Sequence, residues 1–323
     1  MTKVLVTGGL GFIGSNFIEN IITSVDCVIN VDSETYSSID RRRLNFESFK
    51  NYKFYKIDIN NFYDINNIIS KYSFDKVFHF AAETHVDNSI HDPFVFANTN
   101  VIGTLNILES YKNLKKNNKL FIHVSTDEVY GSIYNGKFNE KSNYKPNSPY
   151  SASKASSDLF VRSYFKTYDL PVIITNCSNN FGPYQNKEKF IPTIINSLIH
   201  KNKIPIYGTG KNIREWIFVK DHIEALMHIS EKGIHGENYC IGSGTEYSNI
   251  EIVNKICKIY DKLTDNINSQ KLISFVKDRK GHDFRYSLDS SKINDVGWKA
   301  NNDFDKSLEQ TIIWYLNNKE FLN

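Results

Sequence analysis

Short apolar runs alternate with longer amphipathic stretches through the first half of the chain. Residues 3–7, 27–31, 53–57, 76–80, 120–125 and 172–176 read as strands, being brief, apolar and bounded by polar or turn-forming residues. Between them, residues 12–22, 63–72, 93–114 and 149–168 carry the apolar spacing of helices. Strand and helix alternate, so the fold class expected is α/β, with a doubly wound parallel sheet. Beyond residue 176 the rhythm breaks. Loops rich in Gly, Pro and Asn appear, such as Phe181-Gly182-Pro183-Tyr184 and Tyr207-Gly208-Thr209-Gly210, with short strand-like pieces such as 216–219. A smaller C-terminal lobe is expected there, giving a sheet domain over residues 1–180 and a second lobe mainly over 181–323. The boundary is soft, because residues 239–242 can return a strand to the main sheet. An amphipathic helix is expected at 304–317.

Composition changes this picture chiefly by exclusion. The 323 residues are 40% hydrophobic and 23% charged, enough for a sizeable core. Net charge is +3 with both signs interspersed, so neither a nucleic-acid partner nor a membrane surface is expected. Cys27, Cys177, Cys240 and Cys257 are too scattered for a zinc site or a disulfide framework, and no metal is expected. The chain runs from Met1 into a strand and a glycine turn, and no run of about 20 apolar residues occurs. A cytoplasmic protein without signal peptide or membrane span is the expectation.

The first chemistry lies in Thr7-Gly8-Gly9-Leu10-Gly11-Phe12-Ile13-Gly14, after a strand and opening a helix. Glycines allow a tight turn and close approach to a pyrophosphate, and the helix N-terminus supplies free N–H groups. Asp32 ends the next strand, where a carboxylate can accept both ribose hydroxyls and would repel a 2′-phosphate. A Rossmann-type domain binding NAD rather than NADP is expected. Asp58-Ile59 follows the third strand near the adenine position, although Asp58 serves equally as a helix-start residue. Phe80-Ala81-Ala82 follows the fourth strand and would line the cofactor with small side chains.

Tyr150 and Lys154 stand one helical turn apart and can share a face. The lysine charge should favour the phenolate, lowering the tyrosine pKa so that Tyr150 can remove an alcohol proton as hydride leaves. A core Tyr beside a surface Lys is the ordinary alternative. Thr126, Asp127 and Glu128 directly follow an apolar strand, at the end that faces the ligand crevice of an open α/β sheet. Two adjacent carboxylates there can be driven to different protonation states, one acid and one base, or can simply start a helix. A dehydrogenase needs only the Tyr-Lys pair, so the added carboxylates suggest an elimination.

Four segments are distinctive: His79-Phe80-Ala81-Ala82-Glu83-Thr84-His85-Val86-Asp87, Ser125-Thr126-Asp127-Glu128-Val129-Tyr130-Gly131, Asn176-Cys177-Ser178-Asn179-Asn180-Phe181-Gly182-Pro183 and Asp278-Arg279-Lys280-Gly281-His282-Asp283. Together they resemble the nucleotide-sugar dehydratases of the extended short-chain dehydrogenase/reductase family, from residue 2 to about residue 316. Epimerase and decarboxylase relatives share the Tyr-Lys pair but generally lack the Asp-Glu.

The resemblance implies a 4,6-dehydratase acting on dTDP-glucose or UDP-glucose, with NAD held tightly and recycled in each turnover. Tyr150, assisted by Lys154 and Thr126, would oxidise C4; Glu128 would take the C5 proton; Asp127 would protonate the departing C6 hydroxyl. It implies a cofactor shell of Gly8, Gly11, Phe12, Ile13, Gly14, Asp32, Asp58, Ile59, Phe80, Ala81, Ala82, Thr99, Tyr150, Lys154 and Asn180. On the substrate side it implies Thr84 and Thr126 at the sugar, Asn179 and Lys189 towards the nucleotide, and Pro205, Ile206 and Tyr207 at the base. Arg214 would pair with the diphosphate, and Asn249, Arg279 and His282 complete the shell. Departures from the family pattern are a short segment between Gly131 and Tyr150, and Lys280 where Pro is frequent.

The resemblance also implies deoxysugar synthesis, rhamnose included, and a homodimer through a four-helix bundle. Phe94, Leu105, Leu108, Leu159, Phe160 and Tyr164 suit either that bundle or packing on the sheet. Two other readings stand beside this one. A 4-epimerase or decarboxylase would need Tyr150 and Lys154 but not both carboxylates, whereas a non-catalytic NAD-binding scaffold would need neither pair, and this chain retains both.

Overall fold

The structure is a computed structural model that describes residues 2–114, 119–265, 267–278, 281–301 and 303–322. The strands of the first half are β1 (Lys3–Thr7), β2 (Cys27–Asp32), β3 (Tyr52–Lys56), β4 (Lys76–His79), β5 (Leu120–Thr126) and β6 (Val172–Cys177). Those of the second half are β7 (Asn179–Phe181), β8 (Ile204–Tyr207), β9 (Ile213–Phe218), β10 (Asn238–Ile241), β11 (Glu246–Ser248) and β12 (Ile273–Val276). Seven of them form one parallel sheet in the order β10-β6-β5-β4-β1-β2-β3. The winding reverses between β1 and β4, which opens a crevice at the carboxyl ends of these strands. β5 and β6 are buried at every position because helices cover both faces, so their sequences are apolar runs rather than alternating ones.

The first-half strands and most helices fall within two residues of expectation. Residues 93–114 differ. They form Pro93–Phe96, a wider π-helical stretch Ala97–Gly103, and then Thr104–Lys112. At this stretch the Thr104 hydroxyl donates to the Asn100 carbonyl at 2.6 Å, and Asn100 itself donates to the Glu83 carbonyl at 3.0 Å and to Ser153 at 2.8 Å. Gly103 lies so close to Ile59 that an added Cβ would stand 2.5 Å from its Cδ1. Such widened turns concentrate at functional sites, and this one borders the crevice.

The second half holds more helix than its loop-rich sequence suggests. Phe190–Ile199, Val219–Lys232 and Asn249–Thr264 join the expected Phe304–Asn317. Val219–Lys232 packs against the first helix, Phe12–Ile21, and β10 then pairs with β6, Asn238 opposite Ile174. The chain therefore leaves the main sheet after β6 and returns to it. Strands from before and after this return, β7, β8 and β9 with β11 and β12, form a three-stranded sheet, β11-β9-β7, and the pair β12-β8.

One apolar core runs through both halves, joining Val4 and Phe78 on the sheet and Phe17 on the first helix to Trp216, Ile256 and Leu308 beyond them. Phe17 is wholly buried with its ring 4.3 Å from that of Phe78, a burial that stabilises by about 2–3 kcal/mol. Of the six apolar positions that suited either a bundle or the sheet, Leu108 and Tyr164 are buried in this chain and Leu105 packs beside them. Phe94, Leu159 and Phe160 remain exposed, at 77%, 59% and 39%. Among the described residues, no helix is long and apolar enough to cross a membrane.

Candidate active site

The glycine turn is built by close approach. Gly8 has φ +70°, and a Cβ there would stand 2.5 Å from the Ala81 nitrogen, while one on Gly14 would stand 2.2 Å from the Gly8 oxygen. These two glycines seat the turn against β4 and start the first helix. That helix opens at Gly11 with no side-chain cap, leaving its first N–H groups directed at the crevice. Asp32 is 7% exposed and already oriented. Its Oδ2 accepts from the Leu10 N–H (2.9 Å), and Oδ1 accepts from the Glu34 N–H (2.9 Å) and the Ser38 hydroxyl (3.0 Å). Burial pushes its pKa up, against those donors.

Gly8, Gly11, Phe12, Ile13, Gly14 and Asp32 line a cleft of about 490 Å³, with Asp58, Ile59, Phe80, Ala81, Ala82, Thr99 and Asn180 further along it. Asp58 is exposed at the cleft and accepts the Asn60 N–H at 2.9 Å, but the residue that caps the following helix is Asn61. Asn180 is held by His222, whose Nδ1 lies 2.9 Å from its Oδ1. A cleft with glycine backbone at one end and a fixed carboxylate beside it fits a dinucleotide.

The same cleft continues to Thr126, Asp127, Glu128, Tyr150 and Lys154. Thr126 ends β5, and Asp127–Tyr130 makes one 3₁₀ turn. The Thr126 hydroxyl accepts the Glu128 N–H, approaches Asp127 Oδ1 at 3.2 Å and hydrogen-bonds Tyr150. Pro149 and a Ser148–Ser151 capping box start the helix Pro149–Tyr168, which fixes Tyr150 in its first turn and Lys154 one turn on.

Asp127 is 2% exposed, and its Oδ2 accepts no hydrogen bond among the described residues. Burial, then the carboxylates of Glu128 and Glu215, hold its pKa well above the ordinary carboxylate range. A neutral carboxyl beside a second carboxylate is the arrangement an acid and base pair needs.

Tyr150 departs from expectation. Its pKa is pushed up, first by burial and then by Glu128, and Lys154 does not bring it down. The reason is geometric: Lys154 is 4% exposed, and its Nζ donates to the Val124 carbonyl at 2.9 Å. Its charge thus sits beneath the strand end, and burial lowers its own pKa.

Thr84, Asn179 and Lys189 line the cleft on the far side, and Lys189 Nζ donates to the Thr84 carbonyl at 3.0 Å and hydroxyl at 3.3 Å. Pro205, Ile206, Tyr207, Arg214, Asn249 and His282 lie outside this cleft. Arg214 is 8% exposed. It donates to the carbonyls of Ile213 (2.8 Å), Asp283 (2.9 Å) and Phe284 (3.3 Å), with its guanidinium over Tyr286 at 4.4 Å. Its fork is turned to backbone carbonyls here. Ile206 is wholly buried, so β8 presents only Pro205 and Tyr207 outward, because alternate side chains of a strand face opposite ways. His282 Nδ1 lies 2.7 Å from Asp278 Oδ1, and its ring meets Tyr207 edge-on at 6.4 Å. Asn249 starts the helix Asn249–Thr264, and its N–H donates to the Asn212 carbonyl. Arg279 and Lys280 lie outside the described residues.

Some of the cleft was missed in the sequence. The Tyr36 hydroxyl donates to Glu188 at 3.2 Å across its rim, between two loops that share no motif. Glu83 and Ser125 also line it. Both stood inside recognised segments, where the neighbouring residues carried the chemistry.

Comparison with known proteins agrees with this geometry. A family model described as GDP-mannose 4,6 dehydratase matches residues 5–311. The chain is 46% identical to dTDP-glucose 4,6-dehydratase of Haemophilus influenzae over 98% of this chain and 99% of that one. It is 45% identical to the Escherichia coli protein of the same name, over 99% and 95%. Among solved structures it resembles DesIV, a dTDP-glucose 4,6-dehydratase from Streptomyces venezuelae with NAD and TYD bound. The TM-score is 0.92 at 39% identity, over 99% and 98% of the two chains. A parallel sheet with its cleft at the switch point, filled by this glycine turn and these five reactive side chains, and a family match across nearly its whole length make the chain a member of the GDP-mannose 4,6 dehydratase family.

Proposed function

We propose that the protein is an NAD-dependent dTDP-glucose 4,6-dehydratase that forms dTDP-4-keto-6-deoxyglucose. The observation that carries this reading is Asp127, a buried carboxyl placed beside Glu128 in the cleft that also holds Tyr150 and Lys154, with burial raising its pKa. The nucleotide follows from the relatives named dTDP-glucose 4,6-dehydratase, and NAD from the fit of the glycine turn and Asp32 together with the NAD-bound neighbour.

NAD, held by the glycine turn and by Asp32 at its ribose, would supply the hydride acceptor for C4 and the donor for C6. Tyr150 takes the C4 hydroxyl proton, with Thr126 bonded to its oxygen and the Lys154 charge behind it. The 4-ketone so formed acidifies the C5 proton, which Glu128 removes. Asp127, kept protonated by burial and by its carboxylate neighbours, gives its proton to the departing C6 hydroxyl, which leaves as water. Thr84 and Thr126 orient the sugar, and Asn179 and Lys189 the nucleotide end. Arg214 reaches the diphosphate by giving up backbone carbonyls, and Pro205, Tyr207, Asn249, Arg279 and His282 complete the nucleotide side.

Incubation with dTDP-glucose and UDP-glucose, followed by product identification, tests the reading. A 4-keto-6-deoxy product, faster from dTDP-glucose, is expected. A galactose or pentose derivative without loss of water would replace dehydration by epimerisation or decarboxylation. The exposed Phe94, Leu159 and Phe160, on the two helices that flank the cleft, support a homodimer through a four-helix bundle. The sedimentation coefficient should accordingly be that of a dimer, and should fall to a monomer's in Phe94→Asp with Leu159→Asp. The product's 4-ketone suits onward reduction to a deoxysugar such as rhamnose in the cytoplasm.

A further inference from the structure

Behind Lys154 lies a cluster of buried polar groups that the mechanism above does not use. Asp158 follows Lys154 by one turn of the same helix, so the two side chains share a face. It is 1% exposed. Its Oδ2 accepts from the Ser125 hydroxyl (2.9 Å), the Tyr144 hydroxyl (2.9 Å) and Asn176 Nδ2 (3.1 Å). Asn176 Nδ2 also donates to the Thr126 carbonyl at 3.2 Å, while Lys154 holds the Val124 carbonyl. Three consecutive residues at the end of β5 are thus tied to the pair Lys154 and Asp158.

Three donors converging on one oxygen suit an ionised carboxylate, and a buried carboxylate calls for a cation. Other groups around the pair do not supply one. His79 on β4 and His123 on β5 are kept neutral by burial, and His123 Nε2 lies 3.2 Å from Asp158 Oδ1. Cys177 on β6 is pushed up to about 12, and Tyr144 and Tyr150 are raised as well. On the reacting side stand two carboxyl groups, Asp127 and Glu128, and neither can supply positive charge. Lys154 remains as the cation of the group.

We propose that Asp158 is a positioning residue: its buried carboxylate is the counter-charge that keeps Lys154 protonated behind Tyr150, and its hydrogen bonds fix the strand end that carries Thr126. This rests on the dehydratase reading, in which Lys154 supports oxidation at C4. Burial draws the Lys154 pKa down, and Asp158 is the first influence opposing it. Removing the charge therefore lets Lys154 lose its proton at lower pH.

The test uses the NAD-loaded enzyme and a dTDP-pentose without C6, which can be oxidised at C4 but cannot lose water. The nicotinamide absorbance then reports oxidation free of Asp127 and Glu128. In Asp158→Asn the alkaline limb of this rate should move down by about one pH unit or more. KM and bound NAD should stay near wild type, and Asp158→Glu should restore most of the limb. In a Lys154→Met background, Asp158→Asn should no longer move the alkaline limb. A limb unmoved in Asp158→Asn, or an equal shift of it without Lys154, overturns the proposal. Should the variant not fold, nitrogen-resolved NMR of the wild-type lysine decides: an ammonium persisting through neutral pH supports the pairing, and a neutral amine at pH 7 overturns it. Wild-type dehydration of dTDP-glucose tests the underlying reading separately.

Discussion

Asp127 and Tyr150 show opposite relations between residue type and environment. Burial raises both, which readies the carboxyl as an acid but leaves the phenol short of a base until further positive charge arrives. Because the Asp127 pKa is raised, the proton it donates persists to higher pH than an ordinary carboxyl's, and kcat for dehydration should fall as pH rises through that value. Asp127→Asn should lower kcat about 10²–10⁴-fold while bound NAD is retained. The same substitution removes a buried group that costs stability once ionised: with the folded pKa above the unfolded one, stability is full at low pH and declines upward. Thermal scans at pH 8 should then show the variant melting about 1–3 °C above wild type. A lower melting temperature with normal turnover would remove Asp127 as the acid.

At the scale of elements, the catalytic pair depends on how one helix begins. Ser148 accepts the Ser151 N–H and Ser151 returns the bond, so Tyr150 sits in a turn that cannot fray. Ser148→Ala should cost about 1 kcal/mol of stability, read from a urea midpoint, and should reduce kcat by more than that loss explains. Gly14→Ala sets a Cβ 2.2 Å from the Gly8 oxygen, and the purified protein should carry little or no NAD in its absorbance spectrum. Much of this was legible in the sequence. Glycines, Pro149 and the strand ends are local signals, and the glycine turn, Asp32, Thr126 to Glu128 and Tyr150 to Lys154 all converge on the cleft. The π turn was not legible, because it follows from tertiary contacts of Asn100 and Gly103 rather than from local propensity. Nor was the inward turn of Ile206, or the commitment of Arg214 to carbonyls, since side-chain facing depends on what packs behind a strand.

For the molecule as a whole, three buried histidines set the acid limit. His79 is held well below its ordinary range, His123 is pushed down to about 4 and His222 to about 3, each chiefly by burial. A depressed folded pKa contributes stability that is present above the unfolded value, about 6.5, and is lost as pH falls towards the folded one. Denaturant midpoints should therefore drop between about pH 6.5 and 4, and His222→Gln should flatten that slope by about one proton. The core that joins Val4 and Phe17 to Ile256 and Leu308 has a further consequence. Because the halves share this core, a relative's second lobe cannot be transplanted here as a block without leaving mismatched packing throughout. Recombination between cousins at that point should yield insoluble chimeras, and new substrate preferences in this architecture have to be reached by single exchanges at the cleft wall.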